Sequence, residues 1–273
     1  MPELPEARTI ARRLHAAVAG RVIDGVNLRR RDMLKTGSPA SLAALAGKRL
    51  HRVGSRGKYV VVHTSAGRLV MQLGMAGRIL LRPPKAPSET HTHLVVYLDD
   101  GRRLHYDNVR RIAGGVHLVA GGTDDRGPLA ALGPEATEIS PERFVAALRK
   151  SNRPVKAALL DQSILAGLGN IYTDESLARA GIRPTRRAGG LSAGRLARLH
   201  EVIGRVLAEA VAAGGSTLSD ANPFVDADGR TGTFAARHRV YGRYGNPCLT
   251  CGSELRRTII AGRTTTYCPR CQV

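Results

Sequence analysis

Met1-Pro2-Glu3-Leu4-Pro5-Glu6 opens the chain and begins an amphipathic run. Leu4, Ala7, Ile10, Ala11, Leu14 and Val18 recur at helical spacing, which predicts a helix over 3–18 with one apolar face. Proline near a helix start presets φ and gives up no needed donor, and glutamate in the first turn suits the helix dipole. The same six residues also hold chemistry. Removal of Met1 would leave Pro2 as a secondary amine beside the Glu3 carboxylate. An α-amino group titrates at roughly 8, so a useful fraction is unprotonated near neutrality. An amine attacking a sugar or aldehyde carbon forms a covalent imine that acts as an electron sink. The iminium of a secondary amine keeps its positive charge without a proton.

Past this helix the period changes. Short β-branched runs alternate with Gly-rich turns at 22–28, 49–53, 59–63, 69–73, 78–82, 94–98 and 103–106, and Asp99-Asp100-Gly101 and Ser65-Ala66-Gly67 read as hairpin turns. These strands predict a β-sandwich or barrel-like domain over 1–120 with the first helix packed on it. Gly, Asp and Pro crowd 121–134, which reads as a linker. Helical patterns follow at 141 onward with Ser140 as N-cap, at 154–162, 170–180 and 192–213, ended by Gly214-Gly215. A polar, Gly-rich loop spans 216–233. The fold class is therefore α+β, with a helical domain over 135–233 and a separate module over 234–273.

The chain has 273 residues, enough for two domains or a domain plus a module, and 42% hydrophobic residues supply a core. Forty-two Lys and Arg against 22 acids give a net charge of +20. So basic a chain points to a polyanion, nucleic acid ahead of an anionic membrane surface. No apolar run is long enough to span a bilayer, and no basic-then-apolar leader is present. The expectation is a cytoplasmic, nucleoid-associated protein without a membrane partner.

All four cysteines lie in the last 26 residues, as Cys248-x-x-Cys251 and Cys268-x-x-Cys271 with 16 residues between the pairs. Two such knuckles facing each other present four thiolates tetrahedrally, which fits one structural zinc ion with no open position for catalysis. Two disulfides or a redox pair are the alternatives at this point. Arg256, Arg257, Arg263 and Arg270 make the module basic. Between two helices, Ala166-Gly167-Leu168-Gly169 precedes Asn170. Glycines there allow close backbone approach, and free N–H groups at the start of the following helix favour a phosphate. Lys156 and Arg153 are placed to flank it.

Taken together, Pro2-Glu3-Leu4-Pro5-Glu6, Gly57-Lys58-Tyr59, Leu73-Gly74-Met75-Ala76-Gly77, Arg110-Arg111, Leu160-Asp161-Gln162, Gly167 to Glu175 and the four cysteines resemble the formamidopyrimidine-DNA glycosylase and endonuclease VIII family of base-excision repair enzymes over nearly the whole length. The resemblance implies a β-sandwich, a helix–two-turns–helix domain and a zinc-finger hairpin. The intact Leu-Gly-Met segment and the long loop before Phe234 favour the branch acting on oxidised purines, formamidopyrimidines and 8-oxoguanine. The alternatives are an endonuclease VIII-like enzyme for oxidised pyrimidines, a non-catalytic binder of damaged DNA, or an unrelated zinc-ribbon nucleic-acid binder.

The same resemblance implies that Pro2 attacks C1′, that Glu3 acts as acid or base at the sugar, and that Lys58, on a strand, assists β-elimination. Arg263 would hold the phosphate for δ-elimination. His91, Arg110, Arg153, Lys156 and Asn170 match DNA contacts. Met75, Arg110 and Ile112 match the side chains that fill the space left by an extruded nucleotide. The partner is damaged duplex DNA, and the protein a monomer. The chain departs from the family at Ile112, where Phe is usual, at Asn108-Val109, where Asp-Pro is usual, and at Arg8, Ser151 and Thr266. Its loop before Phe234 is also longer.

Overall fold

The computed structural model describes residues 2–121, 126–218 and 223–273. Met1 and parts of the expected linker and loop lie outside the described residues. The chain packs as two units, Met1–Ala130 with Ala213–Thr233, and Ala131–Ala212 with Phe234–Val273.

The first, β-rich unit starts with α1 (Leu4–Val18). It continues through β1 (Ile23–Leu28), β2 (Leu34–Thr36), α2 (Pro39–Ala43), β3 (Leu50–Arg56), β4 (Tyr59–Thr64), β5 (Gly67–Gln72), β6 (Gly77–Arg82), β7 (Thr92–Leu98), β8 (Arg103–Asn108) and β9 (Gly115–Val119). Two sheets form, in the orders β1-β7-β8-β6 and β2-β9-β5-β4-β3. Val60, Val62, Leu69 and Met71 of one sheet meet Ile79, Leu94, Val96 and Leu104 of the other, and Ile10 and Leu14 of α1 join them. The two-residue alternation along each strand sends these side chains to one face. Each such residue contributes roughly 1.5–3 kcal/mol of burial.

β2, α2 and β9 were not among the expected elements. β2 is three residues long and pairs in parallel with β9, a pairing that leaves no hairpin signature in the sequence. The stretch 213–233, read with the helices, packs with the β-rich unit. Ala227 is buried in its core and Phe224 packs against it, and Leu81 N donates to Ala227 O at 2.9 Å.

The second, helical unit holds α3 (Pro141–Arg149), α4 (Val155–Leu160), α5 (Asn170–Ala180), α6 (Ala193–Ala212), β10 (Arg256–Ile260) and β11 (Arg263–Tyr267). Ser140 caps α3 by accepting from Arg143 N. Gly181, at φ +68°, ends α5 in the left-handed conformation that suits glycine. Phe144, Leu148, Leu159, Leu168, Tyr172, Leu199 and Ile203 are buried in this unit.

Candidate active site and nucleic-acid interface

Strand register gathers the expected catalytic residues of the β-rich unit at one end. Gly57 and Lys58 form the two-residue turn between Arg56 and Tyr59, which pair across β3 and β4. Lys58 therefore sits in a hairpin turn, not on a strand as the sequence suggested; Gly57, at φ +55°, takes the first central position, where tight hairpins favour glycine. Tyr59 pairs with Gln72, so the loop after β5, with Met75, leaves at the same end. Gln72 pairs with Gly115, so the loop before β9, with Arg110 and Ile112, arrives there too.

The start of α1 belongs to this end as well. Gly20 N, just past the helix, donates to Leu50 O, while Val53 N donates to His15 Nδ1. Moving back along α1 thus means moving forward along β3. The twelve residues from His15 to Glu3 cover about 18 Å of helix. The five from Val53 to Lys58 cover about 17 Å of strand. Pro2 and Glu3 therefore lie toward the end of the unit that carries the Lys58 turn. Both are buried.

Glu6 secures this terminus. It is 1% exposed. Its Oε2 accepts from Glu3 N at 2.8 Å and its Oε1 from Ser216 N at 2.7 Å. A carboxylate accepting backbone N–H groups is a strong anchor. Gly215, at φ +87°, passes so close that a Cβ there would lie 2.8 Å from Glu6 Oε1.

The two loops at this end interlock through their backbones. Met75 N donates to Ile112 O at 3.4 Å. Gly74, at φ +60°, leaves room that a Cβ would close, since it would stand 2.3 Å from Ile112 O. Arg111 (φ +53°) and Ala113 (φ +51°) hold left-handed backbone without being glycine, which stores strain in the loop. Asn108, fully buried, holds it in place. Its Oδ1 accepts from Arg111 N at 2.8 Å, and its Nδ2 donates to Tyr106 Oη at 3.2 Å and to Leu73 O at 3.4 Å. An ionised aspartate, the usual residue here, has no such donor. Met75 is 40% and Ile112 56% exposed, and Arg110 is exposed too. His91, also exposed, accepts at its carbonyl from Asn108 N.

In the helical unit the expected residues divide. Arg153 is half exposed and pairs with Asp161 Oδ2 at 2.9 Å. The Ser163 hydroxyl first, and Arg153 after it, hold the Asp161 carboxyl below the usual range. Gln162 braces the Gly-rich turn, its Oε1 accepting from Gly167 N and its Nε2 donating to Leu168 O. Lys156 differs from expectation. It is 0% exposed, its Nζ lies 2.7 Å from Asp174 Oδ1 and donates to Thr264 O at 3.3 Å. A lysine so enclosed does not meet a phosphate; it acts through the hairpin. Asn170, the first residue of α5, also donates to Thr264 O, at 3.0 Å.

Arg263 is exposed and follows directly on the Ala261-Gly262 turn, whose positive φ values of 50° and 68° shape the hairpin. Two carboxylates, which the sequence reading included in the Gly167 to Glu175 motif without assigning them a role, fix this module. Asp174 Oδ2 accepts from Thr266 N, and Glu175 accepts from the backbone N–H groups of Arg239, Val240 and Tyr241. Burial, opposed by Lys156, pushes the Asp174 carboxyl up to about 7. The available signal was two adjacent acids inside an otherwise buried helix.

The four cysteine Sγ atoms lie within 4.8 Å of one another. Cys248–Cys271 and Cys251–Cys268 stand at 4.0 and 3.5 Å, too long for disulfides and near the roughly 3.8 Å of a tetrahedral zinc–thiolate set. Gly252, at φ +72°, makes the first knuckle's turn. The donor set therefore fits one structural zinc ion.

Three family models match in order: the formamidopyrimidine-DNA glycosylase N-terminal domain over residues 1–114, its H2TH domain over 131–222, and a zinc finger found in FPG and IleRS over 245–273. The formamidopyrimidine-DNA glycosylase of Bacillus cereus is 39% identical over 277 residues, covering 100% of this chain and 99% of that one. The Lactococcus lactis Fpg solved with abasic-site DNA superposes with a TM-score of 0.89 at 34% identity, covering 99% of each chain. The same enzyme solved with N7-benzyl-Fapy-dG DNA gives 0.89 at 35%, again covering 99% of each. With its sandwich, helices and thiolate knuckles in the same order as theirs, the chain belongs to the formamidopyrimidine-DNA glycosylase family.

Proposed function

We propose that the protein excises oxidised purines from duplex DNA and cleaves the strand at the resulting abasic site. One observation carries this reading: register and helix direction bring Pro2, Glu3, Lys58, Met75, Arg110 and Ile112 to one end of the β-rich unit. With Met1 removed, the Pro2 nitrogen bonds to C1′ as the glycosidic bond breaks and its electron pair leaves with the base. Glu3 then protonates O4′ as the C1′–O4′ bond breaks, which opens the sugar and leaves C1′ bound to Pro2 as the iminium. The iminium then acidifies C2′–H; Lys58 assists its removal, the C3′–O3′ bond breaks, and δ-elimination at C5′ follows. Arg263 holds the departing phosphate. Water releases the sugar fragment and restores the amine.

A target base is inaccessible while stacked, and rotating it out costs a few kcal/mol. Met75, Arg110 and Ile112 fill the vacated space. Ile112 supplies a smaller wedge than an aromatic ring and does not stack. His91, Arg153 and Asn170 contact phosphates, while Lys156 positions the hairpin through Thr264. The relatives' complexes with abasic and Fapy-dG DNA support damaged duplex as the partner. The zinc ion folds the hairpin and takes no chemical step. We assign catalysis to 1–120, the link to 121–134, DNA grip and lesion recognition to 135–233, and the zinc finger to 234–273, in a cytoplasmic monomer. No helix among the described residues is long and apolar enough to cross a membrane.

The test is borohydride trapping on a panel of single-lesion duplexes. The wild type is expected to trap on oxidised-purine duplexes, with the adduct mapping to Pro2. A Pro2→Gly variant that nicks and traps at the full rate would refute the assignment.

A further inference from the structure

A second basic cluster lies in the helical unit, formed by residues that carry no assigned role toward lesion DNA. Arg179, Arg198, Arg205 and Arg239 line one cavity of about 280 Å3 together with Val202, Val206 and Glu209. Positions 198, 202, 205, 206 and 209 share one face of α6. Val202 and Val206, 4% and 0% exposed, form an apolar floor. Arg179 stands in the last turn of α5, nine residues or about 13 Å along the helix from Asn170.

The walls are fixed. Arg179 Nη1 lies 2.7 Å from Glu209 Oε2, and its guanidinium packs over the Phe234 ring at 5.6 Å. The backbone N–H of Arg239 is held by the Glu175 carboxylate. Glu209 answers Arg179, and Glu201 answers Arg205 at 3.6 Å. Arg198 and Arg239 have no carboxylate partner within ion-pair distance among the described residues. Unpaired guanidiniums around a concave site repel each other and focus a positive potential into it. Arginine's planar fork suits phosphate oxygens better than a solvated face requires.

We propose that this cavity binds a phosphate-bearing anion while the lesion site is engaged. The anion is either a phosphodiester of a second nucleic-acid segment or a free polyphosphate. The cavity is too small for more than a few phosphate groups and has no aromatic wall on which a base would stack, so recognition is by charge and not by sequence.

The test uses the full-length, zinc-loaded protein saturated with a short lesion-bearing duplex under borohydride trapping. Inorganic tripolyphosphate and an unlabelled undamaged duplex are then titrated separately. Wild type is expected to bind at least one, and Arg198→Gln/Arg239→Gln to lose that binding about tenfold or more. Nicking of the short lesion duplex should stay within about twofold, which separates this site from the proposed chemistry. Retention of the duplex alone identifies a second nucleic-acid segment; retention of tripolyphosphate alone identifies a free polyphosphate. If the double variant melts early, Arg198→Gln alone, on an exposed helix face, carries the same comparison. Failure of the saturated wild type to bind either probe, or equal binding by folded variant and wild type, overturns the proposal.

Discussion

The two units hold their functional side chains by different means. In the β-rich unit most ride on turns and loops placed by backbone register, and one buried carboxylate, Glu6, anchors the amino terminus. In the helical unit they depend on buried charge: Asp174 and Glu175, 1% and 0% exposed, tie the zinc hairpin to α5. The first arrangement tolerates side-chain changes at the site and is sensitive to backbone. The second is sensitive to any loss of a charge partner and of the metal.

Removing the metal tests that contrast most severely. A hairpin of this size cannot bury a core unaided, so zinc binding supplies its folding free energy. Cys248→Ser is expected to unfold residues 234–273 and weaken DNA binding by about a hundredfold or more, since phosphate contacts vanish with the hairpin. Pro2 chemistry on a free abasic sugar should persist. Equal affinity of variant and wild type by fluorescence anisotropy would detach the module from the DNA surface.

Next comes the pair of lysines. Lys156→Met strands Asp174 in the interior and should cost about 3 kcal/mol, read as a lower denaturation midpoint. Lys58→Met, at a half-buried turn, should cost under about 1 kcal/mol while slowing strand cleavage. Equal stability losses would break the comparison between the units.

Backbone sensitivity on the other side is probed at Gly74. Gly74→Ala must accommodate positive φ and a carbonyl within van der Waals distance, at a cost of about 2 kcal/mol. Cleavage at duplex lesions should fall more than cleavage at single-stranded abasic sites, because the displaced loops fill the duplex. Identical losses on both substrates would remove the loops from that role.

The last contrast is electrostatic. The folded carboxyl of Asp174 titrates near 7 and the unfolded one near the usual 4, so between these values the folded state holds the extra proton. Stability from this group is therefore greatest below about pH 4 and declines as pH rises to about 7. Asp174→Asn should flatten that slope. A parallel pH dependence in wild type and variant would show that the carboxyl does not titrate in this window.

Much of this was legible in the sequence because the governing patterns are local. The α1 stripe, the Ser140 cap, the start of α5 at Asn170 and the two cysteine knuckles each depend on residues a few positions apart. What escaped depends on partners distant in the chain. Lys156 sits in Val-Lys-Ala-Ala-Leu-Leu and reads as a surface lysine until Asp174, eighteen residues on, encloses it. The Asn108 amide looks like a lost family aspartate until Leu73 O and Arg111 N appear around it. Phe224 reads as loop because its core lies in strands made far earlier.

The Glu6–Ser216 hydrogen bond has a consequence for synthesis. The β-rich unit is discontinuous, closed by Ala213–Thr233 only after the intervening helices have been translated. At bacterial-to-eukaryotic elongation rates that interval is about 5–20 s. During it the Glu6 carboxylate has no Ser216 N–H to accept from, so the start of α1 is held only by the local bond between Glu6 and Glu3 N.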